Sequence, residues 1–297
     1  MAIVVGFISE KGGVGKTTAC YHIAYALAAY HAKRVLVIDA DYQRGGLTGR
    51  LFPELIEGFS DGVAPGVTLY HKFQQLYSAA PQTPEVDIYE WRGWNACLHV
   101  IAADPRLATV SKDKLPASSN ILSNNQALLQ HMRTLDFVLQ PLKGGYDYIL
   151  IDSHPEVSDI MRSIIYCADY CVSPVKLDRQ SSIGVATVVG EINNVNRDID
   201  LVRRMIGIND LYRETVFAGA IGMMAREYGG ILKETERTEY SRLRHSGGIF
   251  ENYVTEGDGI RQAAALRAPV YVVNGQNAQR QSDQFRAMAI EFMRVCS

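Results

Sequence analysis

Short apolar runs alternate along the chain with longer segments in which apolar residues recur at helical spacing. Continuous apolar runs of this length are typical of strands buried on both faces, as in a parallel sheet. Predicted strands cover 3–8, 34–39, 98–102, 147–152, 170–175, 216–223 and 270–273. Predicted helices cover 17–31, 121–139, 156–167, 182–196, 229–244, 258–267 and 280–295. The alternation predicts an α/β fold with a doubly wound, mostly parallel sheet and helices on both faces.

Two stretches interrupt this alternation. Residues 53–96 hold several prolines and glycines and both tryptophans, and we expect an insertion of loops and short helices there. Residues 197–215 are expected to form a small charged extension. We therefore expect the 297 residues to form one domain that carries this insertion and this extension.

The composition narrows the class of protein. A hydrophobic fraction of 47% and a net charge of −2 fit a globular protein and argue against a uniformly basic nucleic-acid coat. The five cysteines include no Cys-x-x-Cys pair, which favours a reducing cytosol over a disulfide framework or a zinc site. The first apolar run lacks a basic leader, and no run approaches the ~20 residues that span a bilayer. We expect a cytoplasmic protein.

A phosphate-binding loop follows the first predicted strand. Residues 9–18 have the sequence Ser-Glu-Lys-Gly-Gly-Val-Gly-Lys-Thr-Thr, in which glycines allow backbone N–H groups to approach phosphates closely. In this pattern Lys16 reaches the β- and γ-phosphates, and the Thr17 hydroxyl binds Mg²⁺. The loop has Glu10 where a glycine is usual, and it carries a second lysine, Lys11.

Carboxylates follow two other predicted strands. Asp39 and Asp41 end the second strand, and Asp152 ends the strand at 147–152. Ligands of a doubly wound sheet bind at the carboxyl ends of its strands, so these carboxylates should face the loop. They are candidates for holding Mg²⁺ and for orienting an attacking water.

Three motifs together resemble the ParA/MinD family of deviant Walker-type ATPases, and most closely its DNA-partition members. They are Lys-Gly-Gly-Val-Gly-Lys-Thr-Thr at 11–18, Asp-Ala-Asp-Tyr-Gln at 39–43 and Ile-Leu-Ile-Asp-Ser-His-Pro at 149–155. Weaker similarity at 172–175, 219–226 and 260–270 extends the resemblance over nearly the whole chain. The resemblance implies ATP and Mg²⁺ as cofactors and hydrolysis of ATP to ADP and phosphate.

The resemblance also implies roles for individual residues. Lys11 matches a signature lysine that crosses a dimer interface to the partner's nucleotide, which implies an ATP-dependent homodimer. Asp41 matches the carboxylate that positions water, and Asp152 matches the Walker B aspartate. The implied catalytic residues are Lys11, Lys16 and Asp41, and the implied Mg²⁺ shell is Thr17, Asp39 and Asp152. The implied nucleotide-contacting residues are Gly12, Gly13, Val14, Gly15, Lys16, Thr17, Thr18 and Asp152.

Two residues depart from the family pattern. Tyr42 replaces a proline that is frequent in partition ATPases, and His154 replaces the first residue of a Pro-Pro pair. We expect His154 to be a loop histidine near solvent and not a catalytic group. Both departures concern the loops around the nucleotide and leave the expected binding of ATP intact.

Partition ATPases of this family bind DNA non-specifically as ATP dimers, which requires arginines and lysines that contact phosphates. The candidates are Arg226, Arg261, Arg242 and Arg244, of which the first two match DNA-contacting positions. Acidic residues are interleaved with them, so a solvated helix face is the alternative. The resemblance further implies association with the nucleoid and a ParB-like or adaptor protein that stimulates hydrolysis.

Two related functions stay open: positioning a non-DNA cargo, such as a carboxysome or a chemoreceptor cluster, and MinD-like, membrane-associated division-site selection. MinD-like proteins anchor through a basic amphipathic helix at the C-terminus. Residues 281–295 are amphipathic without being rich in Lys or Arg, so we expect core packing and no stable membrane anchor. A nitrogenase-like reductase would need two well-placed cysteines, and the related tyrosine kinases a terminal tyrosine cluster; the sequence shows neither.

Overall fold

An eight-stranded sheet forms the centre of the computed structural model, which describes residues 1–43, 46–57, 65–78, 84–207, 212–246 and 248–297. The strands are β1 (Ile3–Phe7), β2 (Val35–Ala40), β3 (Tyr89–Gly93), β4 (Ala96–Ile101), β5 (Tyr148–Ser153), β6 (Tyr170–Lys176), β7 (Val216–Ala225), β8 (Glu227–Tyr228), β9 (Ile231–Leu232) and β10 (Ile249–Thr255). The sheet order is β10-β7-β6-β1-β5-β2-β4-β3, with β8 and β9 forming a separate hairpin. The β3–β4 pair is antiparallel and the other neighbours in the large sheet are parallel, which confirms the predicted fold class.

Helices cover both faces of this sheet. They are α1 (Lys16–His31), α2 (Leu47–Leu51), α3 (Pro53–Glu57), α4 (Leu69–Gln74), α5 (Ile121–Leu139), α6 (Asp159–Cys167), α7 (Arg179–Met205), α8 (Glu234–His245), α9 (Asp258–Ala265) and α10 (Gln276–Val295). Short 3₁₀ turns cover Pro105–Thr109, Lys112–Lys114 and Val270–Val272.

Alternate residues of the central strands supply two separate hydrophobic layers. In β1, Val4 joins the layer under α5, α6 and α7, whereas Val5 joins the layer under α1, α9 and α10. The residues of β2 and β5 divide in the same way, because successive side chains of a strand point to opposite faces. Burial on both faces explains why these strands appear in the sequence as unbroken apolar runs.

The last helix, α10, packs its apolar side on the core, as the sequence predicts. Phe285, Met288 and Phe292 are fully buried, and the Phe292 ring stacks on Phe7 with centroids 6.0 Å apart. Among the residues that the structure describes, no helix combines the length and the apolarity needed to cross a membrane.

The C-terminal third corrects two predicted elements. The prediction of a strand at 270–273 is wrong. This apolar segment forms a 3₁₀ turn that packs on α1, and the Val270 N–H donates to His22 Nε2 of that helix at 3.1 Å. The sheet instead gains β10, which the sequence analysis missed. The helix predicted from 229 begins at Glu234, because Gly229 and Gly230 take φ angles of 59° and 82° in the turn between β8 and β9.

The two irregular stretches take on regular structure in part. Residues 53–96, expected to hold only loops and short helices, also supply β3, the edge strand of the large sheet. Residues 197–205 continue α7, which runs unbroken to Met205. Residues 58–64, 79–83 and 208–211 of these stretches lie outside the described residues.

Candidate nucleotide-binding site

The glycine-rich loop joins β1 to α1 at the carboxyl edge of the sheet. Gly13 and Gly15 have φ angles of 71° and 89°, a region that favours glycine, and a Cβ on Gly15 would lie 3.2 Å from the Met223 side chain. The loop opens on a cavity of about 360 Å³. The cavity is lined by Lys11, Gly12, Gly13, Val14, Gly15, Lys16, Thr17, Thr18, Asp41, Gln43, Gly46, Arg50 and Pro155.

Lys16 is a buried cation between two carboxylates. Its Nζ lies 3.5 Å from Asp152 Oδ1 and 3.9 Å from Asp41 Oδ2, and it donates to the Ser153 carbonyl. The Lys16 side chain is only 5% exposed, so these partners supply the solvation that burial removes. The structure thus brings together Lys16, Asp41 and Asp152, as the sequence predicts.

The Asp152 carboxylate is short of partners. Both of its oxygens are buried, and its polar neighbours are the Lys16 ammonium, 3.5 Å from Oδ1, and the Thr17 hydroxyl. Burial raises the pKa of Asp152, and the Lys16 ammonium opposes that rise. Oxygen ligands of this kind suit Mg²⁺. Thr17 lines the cavity, whereas Asp152 is fully buried beside Thr17 and Lys16, so the residues present fit a magnesium ion at the Thr17 hydroxyl with Asp152 next to it.

Asp39 is held by a threonine that the sequence analysis missed. Asp39 Oδ2 accepts from both the backbone N–H and the hydroxyl of Thr48 at 2.7 Å, and Oδ1 accepts from the Asp41 N–H at 3.2 Å. Burial, and then the charge of Asp152, raise the pKa of Asp39, while the bonds from Thr48 oppose the rise. Asp39 therefore fixes the backbone from which the Asp41 side chain projects into the cavity.

The second lysine of the loop has a different environment from the first. Lys11 is partly exposed, and its Nζ donates to Gln180 Oε1, at the start of α7, at 3.1 Å. Among the described residues, no carboxylate lies within ion-pair distance of Lys11. The Lys11 side chain therefore lies near the surface, whereas the Lys16 side chain is enclosed.

His154 is buried, and the expectation that it lies near solvent is wrong. Only 3% of His154 is exposed; its Nε2 lies 2.5 Å from the Tyr42 hydroxyl, and the two rings stack with centroids 4.0 Å apart. Burial lowers the pKa of His154, which keeps the ring neutral. Tyr42 and His154, the two residues that depart from the family pattern, thus contact each other. They are far apart in the sequence, so the sequence alone does not reveal this contact.

Arg50 lines the cavity and was not predicted. Its guanidinium lies over the Tyr21 ring, 5.0 Å from the centroid, and its Nη1 is buried without a hydrogen-bond partner. Burial lowers the pKa of Arg50, and no carboxylate pairs with it in the described part of the chain. An unpaired guanidinium is costly to bury, and at this place it is available to an anion in the cavity.

The four arginines predicted for DNA contact lie on or beside α8 and α9. Three of them already have carboxylate partners: Arg226 with Glu236, Arg242 with Glu239, and Arg261 with Asp258. Arg244 is exposed and has no carboxylate partner among the residues described. Only the Arg261–Asp258 pair is exposed on both sides, and such a pair contributes about 0–1 kcal/mol, so a phosphate could replace Asp258 at small cost. Glu236 and Glu239 are buried, so Arg226 and Arg242 compensate buried carboxylates and are less available to DNA.

A parallel sheet whose phosphate-binding loop faces buried carboxylates at neighbouring strand ends defines a P-loop nucleotide-binding protein. The AAA_31 family model, described as an AAA domain, matches residues 2–204. The chain belongs to this family. Its similarity to a ParA family protein and to the partition ATPase Soj identifies it further as a member of the ParA/MinD ATPases.

Two curated relatives show the range of similarity. A ParA family protein of Chlamydia pneumoniae is 28% identical over 189 residues, which cover 63% of this chain and 64% of that protein. The chromosome-partitioning ATPase Soj of Thermus thermophilus is 26% identical over 204 residues, covering 69% of this chain and 67% of Soj. The chain spans 64% of the length of the curated relatives that it matches first.

Solved structures share the fold over almost the whole chain. An ATP complex of a Cyanothece McdA variant aligns with a TM-score of 0.68 at 17% identity, covering 97% of this chain and 96% of that one. A plasmid partition protein of Borrelia burgdorferi bound to AMPPNP aligns with a TM-score of 0.64 at 18% identity, covering 99% of both chains. At these identities the similarity shows the fold alone.

Proposed function

We propose that the chain is a Mg²⁺-dependent ATPase that forms an ATP-bound homodimer, binds DNA non-specifically as that dimer, and partitions DNA. A ParB-like partner protein would stimulate hydrolysis and release the dimer from DNA. The single observation that carries the proposal is the difference in partners and exposure between the two loop lysines. Lys16 is committed to the carboxylates of its own subunit, whereas Lys11 is held at the surface by one neutral hydrogen bond.

The residues of one subunit account for nucleotide binding. Lys16 and the backbone N–H groups of Gly12–Thr18 would bind the phosphates, and α1 directs its N-terminus at them. Thr17 and Asp152 would hold the magnesium ion, with Asp39 in its outer shell; the ion would neutralise phosphate charge. Asp41, which Gln43 N–H and Lys16 hold at the cavity wall, would orient the attacking water.

A cation from a second subunit would complete the site. Phosphoryl transfer develops negative charge on the phosphate oxygens, and a cation supplied in trans is a common way to stabilise it. The Lys11–Gln180 bond is a partly exposed, neutral-acceptor bond, so Lys11 can exchange it for a phosphate oxygen of the partner at little cost. Binding of ATP and formation of the dimer are then linked by mass action.

Light scattering of the protein with a non-hydrolysed ATP analogue and Mg²⁺ tests this proposal. The wild type should become dimeric, and Lys11→Ala should stay monomeric while it retains nucleotide affinity. Lys114→Ala, which removes an exposed lysine outside the cavity, is the matched control and should behave as the wild type. A Lys11→Ala protein that dimerises with ATP and hydrolyses it at the normal rate would refute the role in trans.

DNA binding is tested separately. We expect binding of unrelated duplexes to require ATP and to weaken steeply with salt. Replacing Arg244 with Ala should weaken binding to all sequences alike and lower the salt slope by about 1. Arg294→Ala, an exposed arginine on α10, is the control. ATP-dependent binding to vesicles without binding to DNA would instead favour the MinD-like function.

A further inference from the structure

The β3–β4 hairpin places three metal-binding side chains on one face of the sheet edge. The antiparallel register sets Glu90 opposite His99, and Cys97 lies two residues before His99 on the same strand, so the three side chains share a face. Their ligand atoms all lie within 4.8 Å of one another, and His99 Nε2 lies 3.8 Å from Glu90 Oε2. We propose that Glu90, Cys97 and His99 bind Zn²⁺ or a similar transition-metal dication.

The donor set and its spacing favour this class of ion. Thiolate, imidazole and carboxylate are the three kinds of ligand that tetrahedral zinc takes, at about 2.0–2.3 Å. A nitrogen and an oxygen ligand at those distances in a tetrahedron are separated by roughly 3.3–3.5 Å, so the 3.8 Å between His99 Nε2 and Glu90 Oε2 is longer by about 0.3–0.5 Å. The three ligand atoms, all within 4.8 Å of one another, would have to approach by about 1 Å to meet one tetrahedral ion. Three protein ligands leave a fourth position for water.

A neighbouring side chain orients the histidine for this role. His99 Nδ1 lies 2.6 Å from the Tyr146 hydroxyl. With Nδ1 engaged, Nε2 is the nitrogen turned toward Glu90. Metal-ligating histidines almost always bind a second protein group through the other ring nitrogen in this manner. Cys97, His99 and Tyr146 also line one cavity of about 340 Å³, which gives an ion an entry path.

Nearby cations do not block the site. Arg92 hydrogen-bonds Glu90, but the arginine side chain is 73% exposed and can turn into solvent. Arg34 lines the same cavity and is committed to Asp147 at 3.1 Å. The site lies toward the amino-terminal ends of the parallel strands, away from the phosphate loop, because His99 pairs with Leu36 in β2. A bound ion would cross-link β3 to β4, the neighbouring strand in the sheet.

Thiol reactivity gives a direct test that does not depend on ATPase activity. All five cysteines lie in the described ranges, and Cys97 alone among them is not buried. A thiol reagent applied to the untagged native protein should therefore modify Cys97 first. Zn²⁺ at 100 times its dissociation constant should slow this modification about 100-fold, since about 1% of the protein is then metal-free.

Variants decide whether the three residues act together. His99→Ala and Glu90→Gln should abolish the protection by Zn²⁺ while Cys97 still reacts. His245→Ala, an exposed histidine on α8 near the opposite edge of the sheet, should keep the protection. Co²⁺ should give the thiolate-to-metal absorption of a tetrahedral site in the wild type and not in Cys97→Ser. No slowing by Zn²⁺, or full protection that survives His99→Ala, would overturn the proposal.

Discussion

The hydroxyl of Tyr42 lies 2.5 Å from Nε2 of His154, and the two rings stack. Tyr42 directly follows Asp41, and His154 stands two residues after Asp152. The pair therefore ties together the segments that directly follow β2 and β5, next to the carboxylates of the candidate site. The two residues that depart from the family pattern therefore link these segments to each other.

We expect Tyr42→Phe to lower the rate of ATP hydrolysis about two- to tenfold with little change in nucleotide affinity. The substitution keeps the stacked ring and removes one partly buried hydrogen bond, which contributes about 0.5–1.5 kcal/mol. Single-turnover hydrolysis and calorimetric titration with an ATP analogue separate the two quantities. Tyr228→Phe, at an 86% exposed tyrosine, is the control. A weaker affinity with an unchanged rate would show that the pair shapes the binding pocket and does not position Asp41.

Lys16→Met should abolish nucleotide binding and also destabilise the protein before any ligand is added. Methionine keeps the volume but leaves Asp152 buried without its cation, and breaking a buried ion pair costs about 3–5 kcal/mol. Urea denaturation measures the loss. Adding Asp152→Asn to Lys16→Met removes the stranded charge and should restore much of the stability but none of the binding. A stable Lys16→Met protein would mean that Asp152 is already neutral in the wild type.

Arg50→Met should weaken the affinity for ATP about 10- to 100-fold, since a charge-assisted hydrogen bond to phosphate contributes about 1.5–3 kcal/mol. The methionine side chain still covers the Tyr21 ring, so the variant removes the charge and keeps the packing. Arg50→Lys should recover part of the affinity. Calorimetric titration with ATP and with adenosine checks the assignment: equal losses for both ligands would exclude a phosphate contact.

The layered core and the nucleotide loop could be predicted from the sequence because each has a local signature. The buried strands β1, β2 and β5 are unbroken apolar runs, and the loop is defined by consecutive residues. The edge strand β10 has no such signature, because polar residues at Glu251 and Asn252 interrupt its apolar run. Their backbone N–H groups are satisfied by the Glu291 carboxylate of α10, a long-range contact that covers this edge.

The parts of the site that the sequence did not reveal depend on contacts between distant segments. Arg50 belongs to the site because α2 turns back over Tyr21. Thr48 belongs to it because its hydroxyl donates to the Asp39 carboxylate, nine residues earlier in the sequence. Glu90 meets His99 only through the register of an antiparallel pair. Spacing along the chain predicts contacts within one helix or one strand, and these contacts arise between elements.

Lowering the pH from 7.5 to 5.5 should destabilise the protein partly through His22. His22 lies on α1 behind the phosphate loop, where Nδ1 lies 2.8 Å from the Thr18 carbonyl and Nε2 accepts from the Val270 N–H. Burial lowers the pKa of His22 from 6.5 to about 3. Below about pH 6.5 the unfolded chain binds a proton that the folded protein excludes, so stability falls as the pH decreases.

The expected contribution of His22 between pH 7.5 and pH 5.5 is about 1.4 kcal/mol, set by the unfolded-state pKa near 6.5. Urea denaturation at both pH values, for the wild type and for His22→Gln, isolates it. Glutamine can still donate and accept hydrogen bonds but does not titrate. Other buried histidines, such as His131, contribute equally to both proteins and cancel in the difference. Equal losses of stability in the two proteins would show that His22 takes up a proton at pH 5.5 as readily in the folded protein as in the unfolded chain, and that the bond from Val270 does not hold the neutral ring.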